Sequence, residues 1–205
     1  MFPAPNQQNN FCHGDKHHKK SQCKNHAQRP QPLELIFCVP LTFAQELVAG
    51  PDGTFVPRSP VDAPNNVSGN AFLRFRRDIG TLDFQIFVFN AVGQINVNER
   101  ITQAHIHGGR ANVNGPVVAT LFNFGPTNAV GTSVNGFLAS GILTNANINP
   151  VISPEGYRFN TIASVFDAIR QGLVYINVHG SNADPTRPTF DQGIIRGEVF
   201  ASQTS

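Results

Sequence analysis

Ala71-Phe-Leu-Arg-Phe-Arg-Arg-Asp-Ile-Gly-Thr-Leu-Asp-Phe-Gln-Ile-Phe-Val-Phe89 reads as two strands joined by a turn. Residues 71–76 alternate apolar with polar side chains, the period of two that a half-buried strand requires. Residues 82–89 repeat that period, and Asp78-Ile-Gly-Thr81 supplies turn residues between them. The pair is therefore a β-hairpin with one apolar face. Phe72, Phe84, Ile86 and Val88 are assigned to the core.

Working outward, the same signal recurs. Leu33-Glu-Leu-Ile-Phe-Cys-Val39 reads as a strand closed by Pro40, and a Gly/Pro/Asn-rich loop follows over residues 50–70. Further strands are expected at residues 101–107, 117–122, 136–143, 173–178 and 194–201. Leu121, Val174, Ile176 and Val178 join the core set. The stretch 164–170 is the one helix candidate, because Val165, Phe166 and Ile169 share a face. Seven or eight short strands separated by turn residues point to an all-β, antiparallel sandwich.

Composition divides the chain. Residues 1–32 are rich in Gln, Asn, His, Lys and Pro and hold almost no aliphatic residues. Burial there cannot offset the entropy of ordering, so this stretch reads as a flexible arm ahead of a domain over residues 33–203. Residues 1–30 hold five cations against one acid, a net of +4. The remaining 175 residues hold ten arginines, no lysine and twelve acids, a net of −2. No apolar run is long enough to span a membrane, and residues 1–10 lack the apolar core of a signal peptide. The arm also carries Cys12, His13, His17, His18, Cys23 and His26. That cluster reads first as part of a solvated cationic arm, with cross-linking between chains or a metal as the alternatives, and its spacing matches no standard zinc finger. Cys38 is the third cysteine, so at least one thiol has no partner within the chain. Nucleic acid is not an expected partner, since no positive stripe marks the domain.

Two segments carry a family signature. One is Ala104-His-Ile-His-Gly-Gly-Arg-Ala-Asn-Val-Asn-Gly-Pro-Val-Val118. The other is Gly172-Leu-Val-Tyr-Ile-Asn-Val-His179, followed by Gly193-Ile-Ile-Arg-Gly-Glu-Val199. Together with Gln45-Glu46 they resemble the chordin (CHRD) domain family over roughly residues 33–201. Two positions depart from its pattern: Ile194 stands where that family usually has Glu, and Asn112 where it often has Gly. The resemblance implies a Greek-key sandwich of immunoglobulin or superoxide-dismutase type and no enzymatic activity.

The three histidines outside the arm all fall inside these segments. Strand parity puts His105 and His107 on one face, and puts Tyr175, Asn177 and His179 on one face of a later strand. If the two strands meet, three imidazoles converge, a ligand set that suits copper or zinc. The alternative role is to pin the loop and the strand end through hydrogen bonds. His-Ile-His is also similar to the copper-binding strand of Cu/Zn superoxide dismutases, although that family's other metal ligands have no match here. Asn177 or Asp191 is the expected acceptor behind a ligand. Gly108, Gly109, Asn112, Asn114, Gly115 and Pro116 read as a tight loop that needs positive φ. Arg196 is expected to form a structural ion pair with a neighbouring acid, Glu198 being the candidate.

The reading that follows is a non-enzymatic structural or adhesive protein of a cell or spore surface, self-associating or binding other surface-layer proteins. Its rivals are a copper- or zinc-binding domain built on His105, His107 and His179, and, third, an oxidoreductase of dismutase type.

Overall fold

The structure is a computed structural model that describes residues 34–49, 54–57, 67–91, 100–125, 134–181 and 193–200. The arm with Cys12, His13, His17, His18, Cys23 and His26, and also Asp191, lies outside the described residues. Everything below belongs to the second of the chain's two units, Leu33–Ser205.

Eight strands make one antiparallel sheet: β1 (Glu34–Thr42), β4 (Ser68–Arg76), β5 (Thr81–Ala91), β6 (Arg100–Gly108), β7 (Val117–Asn123), β8 (Val134–Leu143), β11 (Val174–Ser181) and β12 (Ile195–Glu198). Two small ladders stand apart, β2 (Leu47–Ala49) with β3 (Phe55–Pro57), and β9 (Val151–Ile152) with β10 (Arg158–Phe159). The order β7-β6-β11-β12-β1-β4-β5-β8 is non-local: β8 returns beside β5 although β6 and β7 intervene, and β12 inserts between β11 and β1. That is the path of a Greek-key sandwich. The end strands β7 and β8 also touch, so the sheet nearly closes around its core. No described helix is long and apolar enough to cross a membrane.

The core follows strand parity. Phe84, Ile86, Val88, Leu121, Val174, Ile176 and Val178 are all buried. The one α-helix among the described residues, α1 (Ile162–Arg170), lays Val165 and Ile169 onto it and stacks Phe166 flat on Phe75 at 4.5 Å. The helix is started by Thr161, whose hydroxyl accepts from the Ser164 amide, while the Ser164 hydroxyl receives the Thr161 amide.

Three expectations are corrected. Phe72 is not in the core; it is 39% exposed. Ala71, Phe72 and Leu73 are apolar in a row, and β4 turns Ala71, Leu73 and Phe75 inward, which leaves Phe72 outside, edge-on to Phe87 at 6.0 Å. Pro40 does not close the first strand. β1 runs on to Thr42, with Pro40 opposite Asn70 of β4. The Pro40 carbonyl faces Gly197 of β12, so its missing N–H points the same way, to an edge where the two strands share only the register pair Thr42↔Arg196. Finally, positive φ in the 108–116 segment falls on Asn112 (φ 63°), not on its glycines. Gly108 and Gly115 are demanded by close approach instead. A Cβ at Gly108 would strike the Phe159 ring, and one at Gly115 would overlap the Gly108 carbonyl.

Candidate metal centre

β6 and β11 pair with His107 opposite Tyr175 and His105 opposite Asn177. Ala104, Ile106, Val174, Ile176 and Val178 fill the core from one face of this pair, so the three histidines occupy the other. His179 sits opposite Gln103, diagonal to His105, and the ladder shifts register just beyond it. β6 also shifts against β7 on either side of the His105–Ile106 pair. Such irregularities re-aim side chains, and here they flank all three imidazoles. Ring centroids lie 4.9 Å apart for His105 and His179, 5.6 Å for His105 and His107, and 5.7 Å for His107 and His179.

The outer face of a sheet is normally wet, yet all three histidines are buried. Over His107 lies the segment 109–116, whose Gly115 carbonyl meets the His107 ring and which is tied to the sheet at several points. At its base, Gly108 donates to the Pro116 carbonyl and Gly109 to the Leu173 carbonyl. At its far side stands Arg196 of β12, fully buried. Its Nη2 donates to the carbonyls of Arg110 and Val113, both at 3.1 Å, and its Nη1 to Asn114 Oδ1 at 3.0 Å. Nε donates to Glu198 Oε1 at 2.9 Å, and Nη2 lies 2.8 Å from the same oxygen. Burial raises the Glu198 carboxyl, and the Arg196 charge pulls it back down. Glu198 is also tied to the segment after β1, its amide donating to Gln45 Oε1.

His107 Nδ1 lies 2.9 Å from the Gly115 carbonyl oxygen. A carbonyl only accepts, so Nδ1 carries the proton and Nε2 carries the lone pair. Burial pushes the His107 imidazole down to about 4; the bond to Gly115 opposes this, and His179 and Arg196 add to it. Burial likewise pushes His105 down to about 3, reinforced by His179 and His107. Both rings are therefore neutral at pH 7, the form in which imidazole binds a metal. His107 Nε2 and His105 Nδ1 are buried and find no hydrogen-bond partner among the described residues.

These residues fit a metal ion. One ring nitrogen from each histidine lies within 4.8 Å of the other two. Zinc bonds of about 2.0–2.1 Å place tetrahedral nitrogens roughly 3.4 Å apart, so side-chain rotations of about an ångström close the site. A set of three histidines leaves one coordination position for a fourth ligand, as in copper or zinc centres.

The sequence motifs thus bring together His105, His107, His179, Gly115, Asn114, Arg196 and Glu198. Gly109 and Pro116 serve the loop's base. One buried residue escaped assignment. Glu46 is fully buried, its Oε1 receives the Leu47 amide, and with Asn177 it crowds the space above Gly193 (φ 131°). The only signal for it was the family-like pair Gln45-Glu46, which carries no chemistry by itself.

Comparison with known proteins gives one positive result. A family described as CHRD domain matches residues 39–199. No curated protein and no solved structure matches the chain.

Proposed function

Since the chain belongs to the CHRD domain family, we propose that it is a non-enzymatic surface-layer domain holding one copper or zinc ion on His105, His107 and His179. The observation that carries the metal is the buried triad, with His105 and His107 neutral and His107 locked as the Nδ1–H tautomer by Gly115. Loop pinning accounts for His107 Nδ1. It leaves the buried Nε2 of that ring and Nδ1 of His105 without a role, and burying such groups unsatisfied is costly. A bound ion gives ring nitrogens of this set a partner. The non-enzymatic part rests on the family resemblance and on burial that leaves the imidazoles under a tenth exposed.

Elemental analysis of the purified full chain tests the metal. The arm has its own histidines and cysteines, so the decisive quantity is a difference. His107→Ala is expected to lose one equivalent of bound zinc or copper against the parent, with the β-sheet circular dichroism unchanged. Equal metal content in both folded proteins overturns the centre. Copper-loaded protein is expected to show no dismutase activity above that of free copper.

The surface-layer reading, at a cell or spore surface, has its own support. The outer face of β1, β4, β5 and β8 exposes Ile36 (67%), Phe72, Phe137 (60%) and Ile142 (61%). Phe72, Phe87 and Phe137 run across it edge to face. Exposed apolar patches mark association surfaces, and the Phe72–Phe87–Phe137 row is offered here for copies of the chain or neighbouring layer proteins.

A further inference from the structure

The side chains beneath the segment 109–116 form a column. The Arg196 guanidinium carbon lies 3.4 Å from the centre of the Tyr175 ring. On its other side that ring stacks on His107, with centroids 4.9 Å apart and planes at 12°. The Tyr175 hydroxyl accepts the Gly115 amide at 3.0 Å, while the carbonyl of the same Gly115 accepts from His107 Nδ1. One glycine therefore touches both Tyr175 and His107. Arg196 grips the segment just upstream, through Arg110, Val113 and Asn114.

We infer that Arg196 and Tyr175 are positioning residues for the histidine centre, clamping Gly115 so that its carbonyl fixes His107 as the Nδ1–H tautomer and leaves Nε2 as the lone-pair nitrogen. This rests on the metal reading above for its consequence, but not for its geometry. The base of the segment is held separately, by Gly108 and Gly109 bonding to Pro116 and Leu173. Likewise β12 is held by its ladder with β11, Tyr175↔Glu198 to Val178↔Ile195. What Arg196 and the phenol oxygen add is the placement of the segment's far half. Groups behind a ligating histidine fix its tautomer and ring orientation, and losing one typically weakens metal binding about 10–100-fold. Arg196 meets the segment with a planar fork aimed at three acceptors, which a lysine cannot reproduce.

The test uses Tyr175→Phe, which keeps the ring and removes the oxygen that accepts the Gly115 amide, and Arg196→Lys. In the metal-free full chain, two-bond 1H–15N spectra read the His107 tautomer. The parent is expected to show only Nδ1–H and each variant a mixture. Competition with a chelating dye is expected to show zinc bound about 10–100-fold more weakly by each variant, with a changed visible spectrum of the cobalt-substituted protein. Should Arg196→Lys fail to fold, Tyr175→Phe decides alone, since it deletes one atom. A parent that binds no zinc sinks the metal reading, and the tautomer still decides the clamp. A folded Tyr175→Phe with an unchanged tautomer overturns the inference, as does a mixed tautomer in the parent.

Discussion

At the scale of the residue, the centre is built from side chains whose ordinary chemistry has been changed by burial. Tyr175 is pushed up to about 12, burial being the largest cause, so it remains a phenol at any physiological pH. His105 and His107 move the other way, to about 3 and 4 in the folded state against 6.5 in the unfolded chain. Above pH 6.5 neither state protonates them and they contribute no pH dependence. Below it the unfolded chain binds protons that the folded protein refuses, so stability falls as pH drops, and the fall ends only near the folded values. The metal-free protein is thus expected to lose chemical-denaturation midpoint steadily from about pH 6.5 to about pH 4. His105→Asn with His107→Asn should flatten that slope. An equally steep slope in a folded double variant would show that other groups cause it.

Each strand decides at its own scale which residues are core and which are surface. β4 presents Ala71, Leu73 and Phe75 inward and Phe72 outward, although Leu73 and Phe72 are both large and apolar. The energetic consequence is asymmetric. Leu73→Ala removes a fully buried side chain and is expected to cost about 2–5 kcal/mol. Phe72→Ala loses mainly its edge-to-face contact with Phe87 and is expected to cost about 1 kcal/mol. Urea denaturation of the two variants checks this, and comparable losses would mean the strand's faces are misassigned. β6, like β11 beside it, has both faces buried. Ala104 and Ile106 serve the core, and His105 and His107 serve the polar layer beneath residues 109–116.

At the scale of the whole described domain, β7 meets β8 so that the sheet nearly closes, and the outer face of β1, β4, β5 and β8, where exposed apolar side chains stand among Arg74, Asp83 and Gln85, is the face proposed above for association. Phe137 and Ile142 are its most exposed members on β8. Replacing both with serine is expected to leave the fold intact, because neither reaches the core, and to reduce self-association. Sedimentation velocity over a concentration series reads this directly. If the parent is monomeric throughout, or the variant sediments as the parent does, this face does not join copies of the chain.

Much of this was legible in the sequence because a strand's period of two is independent of everything else in the fold. Alternation alone located the 71–89 hairpin and placed His105 with His107, and Tyr175 with Asn177 and His179, on common faces. Order of motifs pointed to the CHRD domain family. Alternation is silent where both candidates are apolar, as at Phe72 and Leu73, and it cannot say which strands become neighbours. Only the tertiary structure brought β11 beside β6 and so made one site of the three histidines. Only it carried Arg196 across to Asn114, 82 positions earlier in the chain, and turned a glycine-rich loop into the cover of a buried polar layer. Those contacts depend on non-local strand order, which is set by the packing of the whole sheet around its core and leaves no periodic trace in any one segment.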